Sequence, residues 1–475
     1  MINPRLWIGG QWHETRAAKD VVNPATGELL ARVPVGDEST IDAAVEAAQK
    51  AFVQIRHQPA HQRSAVLAAV ARGLEQRRAE FVDTIIAEAG KPITFAEAEV
   101  ARAANTFTAA AEEARRQHGE VLDIDAFPSG QGHFGLTRRF PLGVIYGITP
   151  FNFPLNLVAH KVAPCLATGN TMVLKPATKT PLTALLLGEV LEKAGVTPGQ
   201  VNILTCPNEL AAHLVGDPRV KMVSFTGSPA VGWQLKAKCG KQRITLELGG
   251  NAGVIVHEDA DVAAAIPAIA TGGFGYAGQS CISVQRVFVH APIYDTFRER
   301  FLEHVRAHVR WGDPRQRETV VGPMIEPAAV ERVCRWIQDA RKAGARILLG
   351  GKAHGAFLEP TVVENVAPQL DLCAKEVFAP VVTLHPYDRF EVALAQVNDS
   401  DYGLQAGVFT QNLQRAMQAF ASLDVGGVLV NQVPTFRVEN MPYGGIKESG
   451  FGREGIRYAM EEMTEVKSLI LKVGH

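Results

Sequence analysis

The sequence predicts an α/β protein: a parallel sheet covered by helices on both faces, followed by a second α/β region. Three observations carry that expectation. From about residue 143, strand-like runs alternate with helix-like runs, the pattern of strand–helix–strand units. After residue 250 the alternation resumes with a new set of apolar runs. At 475 residues the chain is also too long for one hydrophobic core, so two or three domains are expected.

A short strand-like start precedes three helices. The runs IDAAVEAAQKAFVQI (41–55) and QRSAVLAAVARGLEQRRAEFVDTIIAEAG (62–90) carry apolar residues at helical spacing, and Gly90, Lys91 and Pro92 stop the second. FAEAEVARAANTFTAAAEEARRQ (95–117) reads as a third helix. Strands then follow at 143–149, 171–176, 201–205, 220–228 and 243–250. Between them lie the helix PLTALLLGEVLEKAG (181–195), opened by Pro181 and closed by Gly195, the short helix ELAAHLVG, and SPAVGWQLKAKCG (228–240). The second region holds AGVIVHE, a helix from Asp261, VQRVFVH, the helix YDTFRERFLEHVRAHV (294–309), and the strands ILLGG, VVTLHPY, AGVFT and GGVLVNQ. The tail EEMTEVKSLILKV (461–473) ends on a β-like run, expected to pair with another subunit's sheet edge because an unpaired edge is a liability.

Net charge is −1, which gives no electrostatic support to nucleic-acid or anionic-membrane binding. No apolar run reaches the ~18 residues of a membrane span. The start, MINPRLWIGGQWHE, lacks the charged-then-apolar pattern of a secretory signal, so a cytoplasmic protein is expected. The six cysteines form no C-x-x-C pair and no zinc-spaced cluster with histidine, so no metal is expected.

Five short stretches carry chemistry. GYAGQSCISVQR (275–286) sets Cys281 among glycines and polar residues, where packing does not ask for a cysteine, which makes it a candidate nucleophile. VSFTGSPAVG joins a strand to a helix through Gly227 and Ser228; free N–H groups at a helix start suit a pyrophosphate, although the turn is not G-x-G-x-x-G and an ordinary capped turn is the alternative. In TMVLKPAT, Lys175 ends a strand where cofactor hydroxyls or phosphates lie, or else is a solvated lysine. In TPFNFP, two prolines stiffen the loop around Asn152, whose amide is a donor for a developing oxyanion or else satisfies its own turn. In LELGG, leucines flank Glu247; apolar flanks raise a carboxyl toward the range of a general base, and an exposed strand residue is the alternative.

The order of the stretches decides between the readings. TPFNFP, LKPAT, FTGSPAVG, LELGG, GQSC, EVFAP (376–380) and PYGGIKESGFGREG (442–455) follow one another in one chain, with the GQSC cysteine 34 residues after the LELGG glutamate. Together they resemble the aldehyde dehydrogenase superfamily over essentially the whole chain, nearest its lactaldehyde dehydrogenase-like branch. The resemblance implies a Rossmann-type cofactor domain from residues 1–118 and 140–249, a catalytic domain over 250–445, and a small β oligomerisation arm from 119–139 and 456–475, assembled as a homodimer or homotetramer. It implies Cys281 as nucleophile, Glu247 as general base, and Asn152 with the Cys281 N–H as oxyanion hole. It assigns NAD or NADP to Thr149, Pro150, Lys175, Thr178, Gly227, Ser228, Leu248, Glu376 and Phe378. Presence of Glu247 implies hydrolysis to a free acid rather than transfer to coenzyme A.

The sequence departs from the family pattern at two points. Thr178 stands where many NAD-preferring members have an acidic residue, so NADP is expected to be accepted. The turn after VNILT reads CPNE instead of a glycine-rich run. His160, Arg102, Ser280, Phe436 and Arg437 are expected around the substrate, with structural salt bridges as the alternative for the two arginines. Two arginines and a histidine suit a small aldehyde with hydroxyl or anionic groups, such as lactaldehyde. Succinate semialdehyde and phosphonoacetaldehyde are the alternatives, as is an inactive member with a binding role. Ser280, where phosphate-recognising relatives carry arginine, argues against a phosphorylated substrate.

Overall fold

The computed structural model describes residues 4–473. Five parallel strands form the centre of the first sheet: Val144–Ile148, Thr171–Lys175, Val201–Ile203, Val220–Thr226 and Arg243–Glu247. In space the third, second, first, fourth and fifth lie side by side in that order. The reversal between the first and fourth strands opens a crevice at the carboxyl ends, where ligands of such sheets bind. A hairpin, Leu6–Ile8 and Gln11–His13, extends one edge, and Gly450–Phe451 pairs with Arg243–Glu247 at the other.

Helices cover both faces. Ala60–Gln76, Arg78–Ala89, Ile93–Glu113, Asn156–Thr168 and Leu182–Lys193 build one core around Leu67, Phe81, Phe107 and Leu187. Phe107 is fully buried there, and truncating such a residue costs about 3–5 kcal/mol. Helices Glu38–Ile55, Asn208–Leu214 and Pro229–Lys238 cover the other face. The first is started by a capping box in which Asp37 Oδ1 accepts from Thr40 N at 2.9 Å.

The second sheet runs in the spatial order Arg346–Leu349, Thr361–Glu364, Val381–Tyr387, Val284–His290, Ala252–Val256, Gln405–Phe409, Gly427–Val430. All its pairs are parallel except the first. Helices Val262–Phe274, Tyr294–His308 and Pro327–Lys342 pack on one face, and Phe390–Asn398 and Leu413–Ser422 on the other. Asp261 caps the first of these, accepting from Ala264 N at 3.1 Å.

One element differs from the sequence reading, and the structure supplies a partner for another. The run 62–90 is two helices, broken at Arg77 (φ −106°, ψ 18°). No glycine or proline stands at the break; a tertiary contact holds it, with Arg77 Nη2 2.8 Å from both Glu80 and Glu189. The tail strand Thr464–Lys472 finds its partner within its own chain, pairing antiparallel with His133–Pro141 from Thr464 opposite Pro141 to Lys472 opposite His133. Val121–Leu122 completes this three-stranded sheet, and the tail strand is its outer edge.

Candidate active site

Cys281 is placed by a strained turn. The helix Val262–Phe274 ends and Tyr276, Ala277 and Gly278 follow with φ of 51°, 54° and 64°, a left-handed run that costs energy at the two residues with side chains. Packing holds the strain: Tyr276 is buried and its hydroxyl donates to Ala89 O at 3.2 Å. LELGG meets this turn through its last glycine. A Cβ on Gly250 would lie 2.1 Å from the Cys281 carbonyl oxygen, so only glycine permits the approach.

The TPFNFP loop reaches the same place from the first sheet. Asn152 is buried and its amide donates to Gln279 O at 3.0 Å, which fixes the side chain beside the Cys281 turn and leaves the second amide hydrogen to aim elsewhere. A fully buried ion pair, Lys91 with Glu99, sits beneath. Glu99 Oε1 accepts from Leu155 N at 2.9 Å and Asn156 N at 3.1 Å, capping the helix Asn156–Thr168. Lys91 Nζ lies 3.6 Å from the Phe153 ring centroid and 4.4 Å from that of Tyr276, joining the two loops.

Between these elements lies a cavity of about 280 Å³, lined by Cys281, Asn152 and Glu247 together with Arg102, His160, Ser280, Arg437 and Tyr443. Three distant stretches of sequence therefore meet around one space. Cys281 Sγ is 3.2 Å from Tyr443 Oη. Burial pushes the thiol up to about 12, a shift the Tyr443 contact opposes. Glu247 is buried and its Oε2 has no hydrogen-bond partner. Burial, then repulsion from Glu454, holds its carboxyl well above the carboxylate range, against attraction from Arg437, Lys161 and Arg453.

Two further carboxylates organise the cations. Glu454 lies 3.3 Å from Lys161 Nζ and 3.1 Å from Arg437 Nη2. Burial raises its carboxyl, but Lys161, Arg437 and His160 overcome that and hold it at about 2. Glu439 takes Arg102 Nε and His160 Nε2, each at 2.7 Å. Both arginines are thus in ion pairs, as the structural alternative expected, and both still line the cavity; Arg102 Nη2 is buried without a partner. Phe436 is 44 % exposed and outside the cavity lining, while its neighbours Thr435 and Arg437 line it.

At the strand ends of the first sheet lie the residues expected to hold a cofactor. Thr149 Oγ1 is buried without a partner, Lys175 Nζ reaches Asn208 Oδ1 at 3.2 Å, and Thr178 is half-buried. Gly227 N donates to Glu247 O at 3.0 Å, and a Cβ there would lie 2.6 Å from the Phe225 ring. Ser228 is exposed at the start of helix Pro229–Lys238, its hydroxyl unused as a cap. Pro150 is half-buried beside Thr149, and Leu248 is buried with its N–H on Ser449 O at 3.0 Å. Glu376 Oε1 accepts from Gly250 N at 2.9 Å, and burial raises its carboxyl to about 7. Phe378 has φ of 51° and stands edge-on to Phe151 at 5.9 Å.

A family model described as "Aldehyde dehydrogenase family" matches residues 12–469. The chain belongs to the aldehyde dehydrogenase family. It is 42 % identical over 469 residues to the 3-sulfolactaldehyde dehydrogenase of Priestia aryabhattai, covering 98 % of each chain. Among solved structures it matches aldehyde dehydrogenase 21 from Physcomitrella patens in complex with the reaction product succinate, at TM-score 0.97 and 41 % identity, covering 99 % and 98 % of the two chains. It also matches a glyceraldehyde-3-phosphate dehydrogenase from Methanocaldococcus jannaschii complexed with NADP, at TM-score 0.92 and 37 % identity, covering 96 % and 100 %.

For this aldehyde dehydrogenase, sequence reasoning missed Lys161, Glu439, Tyr443 and Glu454. Tyr443 and Glu454 lie inside PYGGIKESGFGREG, and Glu439 just before it, so the signal was an aromatic residue and two acids in or beside a glycine-rich stretch. Elsewhere among the described residues, His257, Glu258 and His290 bring metal-type ligand atoms together at the far ends of two strands. Their two imidazoles stack with centroids 4.3 Å apart and planes only 16° apart, so no single nearby ion lies in both ring planes. No described helix is long and apolar enough to cross a membrane.

Proposed function

We propose that this aldehyde dehydrogenase oxidises a small aldehyde bearing a hydroxyl or anionic group to the free acid, with NAD or NADP. The observation that carries the reading is the convergence of Cys281, Asn152 and Glu247 on one cavity that Arg102 and Arg437 also line. An unspent buried guanidinium nitrogen on Arg102 suits a carboxylate, sulfonate or hydroxyl on the substrate tail. The relatives named for sulfolactaldehyde and crystallised with succinate act on or hold ligands of that chemistry.

The cofactor residues fit a nicotinamide dinucleotide. Thr149 offers a buried unpartnered hydroxyl, Ser228 a free hydroxyl at a helix start, and Lys175 a cation at a strand end. Gly249 keeps open the space beside Glu376, whose Oε2 a Cβ would approach to 2.5 Å. Thr178 carries no charge to repel a 2′-phosphate. When bound, the nicotinamide accepts the hydride that leaves the substrate carbon.

The chain's own residues do the rest. The Cys281 thiolate attacks the aldehyde carbon. Asn152 stabilises the resulting oxyanion, a donor worth ~10²–10³ in rate. A thioester on Cys281 follows, and Glu247, once ionised, takes a proton from the attacking water, worth ~10²–10⁴. The thiolate leaves with the carbonyl carbon now a carboxylate.

We further propose a homo-oligomer built through the small sheet, whose edge strand exposes Val466, Leu469, Ile470 and Leu471, and a cytoplasmic setting, where six free cysteines stay reduced. The test is a panel of lactaldehyde, succinate semialdehyde, sulfoacetaldehyde, propanal and benzaldehyde with both nicotinamides. Preference for the neutral aromatic aldehyde over the anionic ones would overturn the substrate class; no reduced cofactor with any aldehyde would overturn the reaction.

A further inference from the structure

A half-buried thiol in apolar surroundings is a poor nucleophile because those surroundings penalise the thiolate. Groups of both signs face Cys281: Glu376 and Glu247 disfavour its ionisation and Arg437 favours it. One neutral group touches the sulfur itself, the Tyr443 hydroxyl at 3.2 Å. We infer that Tyr443 is a positioning residue that holds the Cys281 sulfur facing the cavity and favours its thiolate by donating the phenolic hydrogen to it.

Four observations support this. Tyr443 is buried, and its backbone is locked by reciprocal hydrogen bonds with Glu454, 3.0 Å and 2.6 Å long. The Arg437 guanidinium lies 3.6 Å from the ring centroid and makes its own ion pair with Glu454, so the ring has little freedom to turn away. That cation over the ring draws electron density from the phenol and strengthens the O–H as a donor. Burial keeps the phenol protonated, and Cys281, Arg437, Glu247 and Arg102 are among the charged or titratable groups around it. Against a neutral thiol the contact has no fixed direction, since either atom can donate. Against the thiolate only the phenol can donate, and such charge-assisted bonds are the stronger kind. The bond therefore favours the ionised form. The phenol keeps its hydrogen throughout; the proton leaving sulfur goes to solvent base.

The inference rests on Cys281 being the nucleophile of the proposed reaction, but its test does not depend on aldehyde oxidation. Iodoacetamide alkylates a thiolate, forming the S–C bond and releasing iodide, so its rate against pH reports the thiol's ionisation. The rate at Cys281 is followed by mass spectrometry of its peptide in the wild type and in Tyr443→Phe, which keeps the ring and the cation contact. At a fixed pH below the midpoint, alkylation is expected to be roughly tenfold slower, the equivalent of a midpoint about one pH unit higher. A second measurement installs 3-fluorotyrosine at 443, a more acidic phenol and stronger donor. It is expected to move the midpoint the other way. A packing role would not produce shifts of opposite sign. An unchanged midpoint in Tyr443→Phe, or shifts of the same sign in both, overturns the inference. Normal shifts in a protein that oxidises no aldehyde would overturn the proposed reaction and leave the Tyr443–Cys281 relationship standing.

Discussion

His160 Nε2 lies 2.7 Å from one oxygen of Glu439, and Arg102 Nε lies 2.7 Å from the other. One carboxylate therefore orients both side chains. Burial works to raise the Glu439 carboxyl, but His160, Arg102 and Arg437 hold it well below the usual range, so it stays an anion. Glu439→Gln leaves Arg102 without its counter-charge. Stability is expected to fall by about 1–3 kcal/mol in denaturant unfolding. The freed Arg102 should at the same time lower the KM of anionic aldehydes. A variant with unchanged stability and unchanged KM would show that the pairing organises nothing.

Arg102 itself separates a binding role from a structural one. Arg102→Met keeps most of the side chain's length and apolar contact while removing the charge. A charge-assisted hydrogen bond to a substrate tail is worth about 1.5–3 kcal/mol, so kcat/KM for an anionic aldehyde should drop ~10–100-fold. Propanal, which has no tail to bind, should change little. Equal losses for both substrates would assign Arg102 to the scaffold alone.

Thr178 stands three residues after Lys175 and is half-buried at the carboxyl end of its strand. Thr178→Glu places a carboxylate where a 2′-phosphate would approach. Like charges brought together cost several kcal/mol. KM for NADP should rise at least ~10-fold while KM for NAD holds or falls. Steady-state titration of both cofactors checks this, and a parallel loss with both would place Thr178 away from the ribose.

The backbone plan was legible because it rests on local signals. Alternating runs, Pro181, Gly195 and the Asp261 cap mark elements that the structure places at Leu182–Lys193 and Val262–Phe274. The break at Arg77 was not legible, because contacts with Glu80 and Glu189 hold it rather than a helix breaker. The partner of the tail strand was equally hidden: an apolar alternating run shows that an edge exists, not which strand meets it. In the site, the short stretches gave the cavity's three main side chains, but not the web behind them. Lys91, Glu99, Lys161 and Glu454 are all buried, and charged residues in a sequence read as surface unless their partners are known. Only folding brings Lys161 to Glu454, 293 positions away.

Gly250 ties the glutamate strand to the cysteine turn more tightly than a general role for glycine requires. A methyl group there meets the Cys281 carbonyl at 2.1 Å. Gly250→Ala must push the turn away, at about 1–3 kcal/mol of overpacking. The expected result is a folded protein with kcat reduced ~100-fold or more, since small displacements at a reacting group are costly. Circular dichroism and steady-state assay check the two parts. Wild-type kcat would mean that the turn tolerates the shift.

Glu247 links the site to pH. Its carboxyl is raised by burial first and by Glu454 next, so at a given pH more of it is protonated than of an exposed glutamate. A general base must be ionised, so thioester hydrolysis, and kcat with it, should accelerate as pH rises toward the raised pKa. Stability should run the other way. A carboxyl whose folded pKa exceeds its unfolded value binds more protons folded than unfolded between the two, so this group's contribution weakens as pH climbs through that window. Glu247→Gln removes the base and the titration together. It should release about one equivalent of reduced cofactor in a burst, then turn over ~10²–10⁴-fold more slowly with no rise as pH climbs. Stopped-flow absorbance of the reduced nicotinamide reads burst and steady state in one trace. A Gln variant with no burst would place Glu247 before hydride transfer rather than after it, and one with wild-type turnover would remove it from the chemistry.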